Sequence, residues 1–247
     1  GTSLPLDYKA TDKVRTIDFL GYAYTRAPSE VSGALMTRYD ESKPEVWKLP
    51  LRDEIVPGTT ITLPRGGYLV PQAQAVAVAR HLLAHGLQFR VLTSPLRDDQ
   101  AQAFVADRVQ FSPGSVEGHQ RTTLTGAWTP QPARIAAGGL YVPIAQPKAR
   151  LLANILEPQA PDSMAAWGDF NNAFEQKEYM EGYVAEEEAR KMLARDPALK
   201  AEFERRLKDD PAFAGSPGAR LEFFYRRHPA WDPGTNRYPV MRTDRVY

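Results

Sequence analysis

One stretch, Gly138 to Phe174, sets the terms for the rest of the chain. Leu140, Tyr141, Val142 and Ile144 make a short apolar strand that runs into a helix expected to start at Pro147. Proline suits a first helical position because the N–H it lacks has no intrahelical partner there. Leu151, Leu152, Ile155 and Leu156 then share one helical face. Glu157-Pro158 stops the helix, since the proline ring pushes the preceding residue out of helical geometry. Before this stretch the chain reads mostly as strands, and after it as helices.

Upstream, Val14–Tyr24 alternates two largely apolar sets, which suits a strand covered on both faces. Ala34–Tyr39, Val46–Leu51 and Thr59–Leu63 read as further strands, separated by the turn signals Ser42-Lys43-Pro44 and Pro57-Gly58. Tyr68-Leu69-Val70 is a short strand, and Pro71 opens a helix with Ala75, Val78, Ala79, Leu82 and Leu83 on one face and Gly86 as its stop. Phe89–Leu92 returns to a strand, so the unit predicts some parallel pairing. Ala101–Phe111 fits either period and is read as a strand. Arg121–Thr129 is a clearer strand, and Pro130-Gln131-Pro132 turns the chain back into Arg134–Ile144.

The last third is helical in pattern. Val184–Arg195 is amphipathic, and Asp196-Pro197 and Asp210-Pro211 repeat one start signal, an acidic N-cap followed by proline. Ser216-Pro217 starts a third helix that ends at His228-Pro229. The fold class expected is α+β: a mixed β-sheet over Val14–Ile144 and a mainly helical C-terminal portion. Residues 1–158 and 159–247 are expected as two portions packed into one compact unit, with the boundary in the loop Gln159–Ser163.

Charge narrows the functions. With 31 basic and 30 acidic residues the net charge is +1, which argues against a general nucleic-acid binder. No apolar run approaches the ~20 residues needed to cross a bilayer, so no membrane span is expected. Zero cysteines remove disulfides and thiolate chemistry.

Few residues suggest chemistry. His81 and His85 lie i, i+4 on the first helix, a spacing that suits two ligands on one metal ion or two surface histidines flanking the apolar stripe. Glu117-Gly118-His119 sits in a loop, where a Glu/His pair can meet a ligand or simply hold the mouth of the next strand. Trp167-Gly168-Asp169-Phe170-Asn171 places two large aromatics among polar groups, as a docking patch or as anchors of the loop after Pro158. Arg226-Arg227-His228 can bind an anion or complement a helix dipole. No nucleophile elbow, phosphate loop or dinucleotide fingerprint is present.

Several segments in order carry a resemblance: Arg15–Tyr24, Ser32–Asp40, Val46–Asp53, Gly67–Pro71, Phe111-Ser112-Pro113 through Glu117–Gln120, Tyr141–Pro147, Leu156-Glu157-Pro158, Trp167–Asn171 and Phe223–His228. Together they resemble the C-terminal region of large bacterial secreted zinc metallocarboxypeptidases of the carboxypeptidase A type, downstream of the catalytic domain, over nearly the whole chain. Those enzymes hold zinc with a His-x-x-Glu pair and a distant His. Here the residues three after each histidine are Ala84, Gln88, Thr122 and Trp231, so no metal or catalytic residue carries over. The resemblance implies no cofactor in this chain, zinc in the parent, a periplasmic or secreted location, and no hydrolysis by this region alone. The implied role is to support or gate the catalytic domain, with that N-terminal domain of the same parent, and a peptide substrate, as partners; the alternative expectation is an independent peptide- or glycan-binding module that uses Trp167, Phe170, Trp128 or Trp231.

Overall fold

A computed structural model describes residues 1–175 and 180–247. The chain divides into two compact units, Gly1–Leu63 and Pro64–Tyr247. The two units meet in the sequence at Leu63/Pro64, and the change from strands to helices near residue 158 lies inside the second. Residues 64–158 and 159–247 share one unit because the chain end is woven back into the sheet, as described below.

The first unit is all strand among the described elements: β1 (Ser3–Pro5), β2 (Tyr8–Ala10), β3 (Arg15–Pro28), β4 (Leu35–Leu51), β5 (Ile55–Pro57) and β6 (Thr60–Thr62). They pair antiparallel as β1–β6, β2–β5 and β3–β4. The two strands expected around Ser42-Lys43-Pro44 are one long strand, whose register against β3 shifts between Tyr22 and Ala23. The expected two-face cover of Val14–Tyr24 is not found: β3 and β4 form a two-stranded ribbon on which Phe19, Tyr22, Tyr24 and Tyr39 are 42–58% exposed. Phe19, Tyr24 and Tyr39 pack around Trp47, with ring centroids 5.8–6.2 Å away.

The second unit opens with β7 (Gly67–Val70), α1 (Gln72–Ala84), β8 (Arg90–Val91), β9 (Leu96–Asp98), β10 (Gln102–Phe111), β11 (Thr122–Pro130), β12 (Ala133–Ile135) and β13 (Leu140–Pro143). Then follow α2 (Ala149–Leu156), a 3₁₀ turn (Asn171–Ala173), α3 (Gly182–Arg195), α4 (Pro197–Asp209), α5 (Pro211–Ala214), α6 (Pro217–Tyr225) and β14 (Met241–Thr243). Its main sheet has the order β11-β10-β14-β7-β13-β8, with antiparallel pairing throughout. The strand–helix–strand unit does run β7 and β8 in the same direction, but β13 lies between them, so the expected parallel pairing does not occur. β14 enters from the far end of the sequence and pairs with both β7 and β10. The fold is α+β.

Helix starts follow the predicted chemistry in the C-terminal region. The Asp196 carboxylate accepts from the N–H groups of Ala198 and Leu199, Asp210 accepts from Phe213, and the Ser216 hydroxyl accepts from Ala219. These caps start α4, α5 and α6, which pack around Phe203, whose ring lies 4.7–5.9 Å from those of Phe213, Phe223 and Phe224. Each such ring contributes about 1.5–3 kcal/mol by leaving water. The helix expected at Pro147 starts two residues later, because Lys148 sits in the left-handed region with φ 64°. No helix among the described residues is long and apolar enough to cross a membrane.

Candidate functional site

Three elements of the second unit meet around one open cavity of about 360 Å³. The first is the last turn of α1. Ala75, Val78 and Leu82 bury its apolar stripe, which leaves His81 and His85 beside one another on the flank. The helix closes where Gly86 N–H donates to the Leu83 carbonyl and Leu87 N–H to that of Leu82, the Schellman arrangement. The Lys148 ammonium donates to the His85 carbonyl at 2.8 Å and satisfies one of the remaining acceptors.

The second element is a tight reversal between β10 and β11. Val116 and His119 exchange two backbone hydrogen bonds of 2.8 and 2.9 Å, with Glu117 and Gly118 as the two central residues. Both have positive φ, 52° and 81°, the geometry that two-residue hairpin turns require. Gly118 adopts it without cost, whereas Glu117 does so against its own Cβ.

The third is the loop after α2, which is tied down by its backbone. Met164 N–H donates to Ile155 O, Trp167 N–H to Ser163 O, and Asp169 N–H to Met164 O. Thr122 N–H donates to Ala166 O, and the Asn171 side chain donates to Gln120 O at 2.9 Å. The Thr122 hydroxyl donates back to Asn171 Oδ1 at 2.5 Å. Gly168 lies under this stitch with φ 87°, and a Cβ there would meet Gln120 O at 2.4 Å. Only glycine fits.

Held this way, His81, His85, Glu117, His119, Asp162, Trp167 and Asp169 line the cavity, with Ile155 and Met164 as its apolar part. His81 Nε2 stands 3.9 Å from Asp169 Oδ2, near enough for charge interaction but too far for a hydrogen bond. The His119 ring meets Trp167 edge-on at 5.6 Å. Arg121 lies with its guanidinium 4.2 Å over the Trp167 ring and 3.8 Å from Asp162, and donates to the Pro161 carbonyl. Two signals that looked independent in sequence, the His81/His85 pair and the Glu117/His119 pair, thus belong to one site.

The other sequence candidates divide. Phe170 is core, 2% exposed and edge-on to Tyr238 at 5.2 Å. Burial, with the negative charges of Glu157 and Asp169 adding to it, pushes the Tyr238 hydroxyl well above the usual phenol range. Asn171 positions the loop and does not line the cavity. Arg226, Arg227 and His228 lie at the end of α6 and face carboxylates instead of a ligand space. Arg226 holds Glu222 through two donors, Arg227 holds Glu202 at 2.8 Å, and His228 stands 3.8 Å from Glu188. Trp128 packs on Phe104 and Tyr238, and Trp231 on Tyr225, and neither lines the cavity with Trp167. Asp162 was not a sequence candidate. Its adjacency to Pro161 looks like a plain turn, and only the fold brings it to the histidines.

A zinc site of the kind the resembled family uses needs three or four ligand atoms about 2.0–2.3 Å from one point. Among the described residues no three His, Asp or Glu side chains are grouped to hold a metal ion. As placed, the cavity residues do not fit a zinc centre. No family model, curated protein or solved structure matches the chain.

Proposed function

We propose that this chain is a non-catalytic accessory region of a secreted or periplasmic zinc metallocarboxypeptidase, and that it holds peptide for the catalytic domain of the same parent. The family part of this reading rests on the ordered segments that resemble the region downstream of the catalytic domain. The peptide part is carried by one observation: a half-open cavity in which carboxylates, imidazoles and an indole wall converge from three separate elements. Such a mixture of hydrogen-bonding and flat apolar surface suits an extended polypeptide better than a lipid or a nucleic acid. An independent peptide- or glycan-binding module is the alternative; Trp167 is the tryptophan that lines the cavity, and the exposed rings of Phe19, Tyr22, Tyr24 and Tyr39 on the β3–β4 ribbon are the other aromatic surface such a module could use.

The test compares the parent enzyme with a variant in which His119 and Trp167 are both replaced by alanine. A region that contributes peptide binding away from the reacting atoms predicts a raised KM with kcat nearly unchanged. A loss of kcat at constant KM, or no change in either constant, contradicts the reading.

A further inference from the structure

The β3–β4 ribbon has two outer edges, and they differ. On β4, Pro44 and Pro50 stand opposite Tyr22 and Thr16 of β3. A proline inside a ladder takes a position turned away from its neighbour, because it has no N–H to give. Both prolines therefore face outward and blunt the outer edge of β4. Directly opposed residues of an antiparallel pair are either bonded to one another or both turned outward. Thr16 and Tyr22, and by alternation Asp18 and Leu20, thus turn their N–H and C=O groups outward from β3, with no proline among them. Among the described residues no strand pairs with this edge.

The side chains make the same distinction. Leu20 is 85% exposed, and Phe19 and Tyr22 beside it keep large parts of their rings in water. Asp18, the charged residue of this run, is already held by Lys48 across the ribbon. An edge with its backbone groups free, its side chains apolar and its charge neutralised is completed by a further strand.

We infer that the outer edge of β3 pairs with the same edge of a second copy of this chain, which gives a two-fold dimer with one continuous four-stranded sheet. A strand can pair antiparallel with its own copy about a two-fold axis, so each copy supplies the same patch. The side chains select the register. With the axis at Phe19, Phe19 faces Phe19, Leu20 faces Asp18 and Tyr22 faces Thr16. This uses every outward group between Thr16 and the register shift at Tyr22/Ala23, and makes about eight main-chain hydrogen bonds. An axis at residue 18 would set Asp18 against Asp18, and one at residue 20 would carry Thr16 past the shift. The Phe19 pair is of the non-hydrogen-bonded kind, whose side chains approach most closely, and each Phe19 already stacks on its own Trp47 at 6.2 Å. Half a ring of ~200 Å² from each of Phe19 and Tyr22, most of Leu20 and the strand's backbone come to about 450 Å² per copy. The total of roughly 900 Å² lies at the low end of specific interfaces, so the dimer is a weak one, with a Kd on the order of tens of micromolar. None of this depends on the peptide reading above.

The experiment is sedimentation velocity of residues 1–247 at rising concentration, where a shift from monomer to dimer is expected between roughly 1 and 500 μM. Leu20→Pro removes an outward N–H from β3, and Val46→Pro removes one from the residue directly opposite on β4. Leu20→Pro should weaken dimerisation by about tenfold or more, and Val46→Pro should leave it as it is, with the two melting temperatures compared as the folding control. Charge tests the register: Phe19→Lys and Phe19→Glu should each be monomeric alone, and their mixture should form a heterodimer. If Leu20→Pro melts below Val46→Pro, the charge pair decides. A chain that stays monomeric at every concentration overturns the inference, and an extended peptide that binds this edge of a monomer would assign the edge to another strand. Dimers that survive Leu20→Pro, or that Val46→Pro weakens equally, also overturn it. So does a mixture of the two Phe19 variants that remains monomeric.

Discussion

Glu157 and Arg242, 85 residues apart in sequence, meet as a two-point ion pair inside the second unit: Nε lies 2.9 Å from Oε1 and Nη2 lies 2.5 Å from Oε2. Their side chains are 1% and 9% exposed, and the Tyr68 hydroxyl donates to Glu157 Oε1 at 2.6 Å. The Arg242 guanidinium also lies 4.3 Å over the Trp128 ring. One carboxylate thereby joins the end of α2, the strand β7 and the returning strand β14. Replacing Arg242 with methionine strands a buried carboxylate and should cost about 3–5 kcal/mol in urea unfolding. Glu157→Gln in the same chain keeps an acceptor for Tyr68 and should recover more than half of that loss. A single variant as stable as the parent sequence would remove the pair from the account.

Alkaline pH reports on the same interior. Burial, and next the nearby Glu157 charge, raise Tyr68 well above the phenol value of 10.0, and burial raises Tyr238 likewise. Both hydroxyls stay protonated in the folded chain while the unfolded chain loses these protons above that value. The unfolded state then binds fewer protons, so stability is level below about pH 10 and falls above it, by up to about 1.4 kcal/mol per pH unit for each group. Urea midpoints at pH 8, 10 and 11 measure this. The Tyr68→Phe/Tyr238→Phe variant should lose much of the slope.

The turn at Glu117 holds a non-glycine residue at φ 52°. Glu117→Asn relieves the left-handed backbone and should stabilise the chain by roughly 0.5–1.5 kcal/mol. Urea midpoints of the two chains measure this, and an unchanged or lowered midpoint would contradict a strained turn.

Gly168 governs the indole wall. Gly168→Ala imposes a Cβ against Gln120 O at a positive φ, and should cost about 1–3 kcal/mol. It should also displace Trp167, read as a change in the fluorescence of a variant that keeps Trp167 as its sole tryptophan. An unchanged emission spectrum and melting temperature would contradict the stitched loop.

What the sequence made legible was local chemistry. Asp196-Pro197, Asp210-Pro211 and Ser216-Pro217 announce helix starts because a cap and its N–H donors lie within three residues, and the structure places the hydrogen bonds there. The strand reading of Ala101–Phe111 also holds, as β10. Met241–Thr243 gave no signal: three residues with a charge in the middle look like surface, and they become a central strand only through partners more than 130 residues earlier. The division at Leu63/Pro64 has no signature in the pattern, because strands lie on both sides of it, whereas the change at Pro158 is one of secondary structure. His81 and His119 lie 38 positions apart on a helix end and a hairpin tip, and no periodicity relates such positions.

The central claim is that this chain holds peptide and leaves the cutting to another domain. It is tested most directly by incubating residues 1–247 with zinc and short peptides bearing free C-terminal residues, and following both binding and products by mass spectrometry. The account predicts bound, intact peptide. Release of C-terminal residues that a chelator stops and His119→Ala abolishes would contradict it.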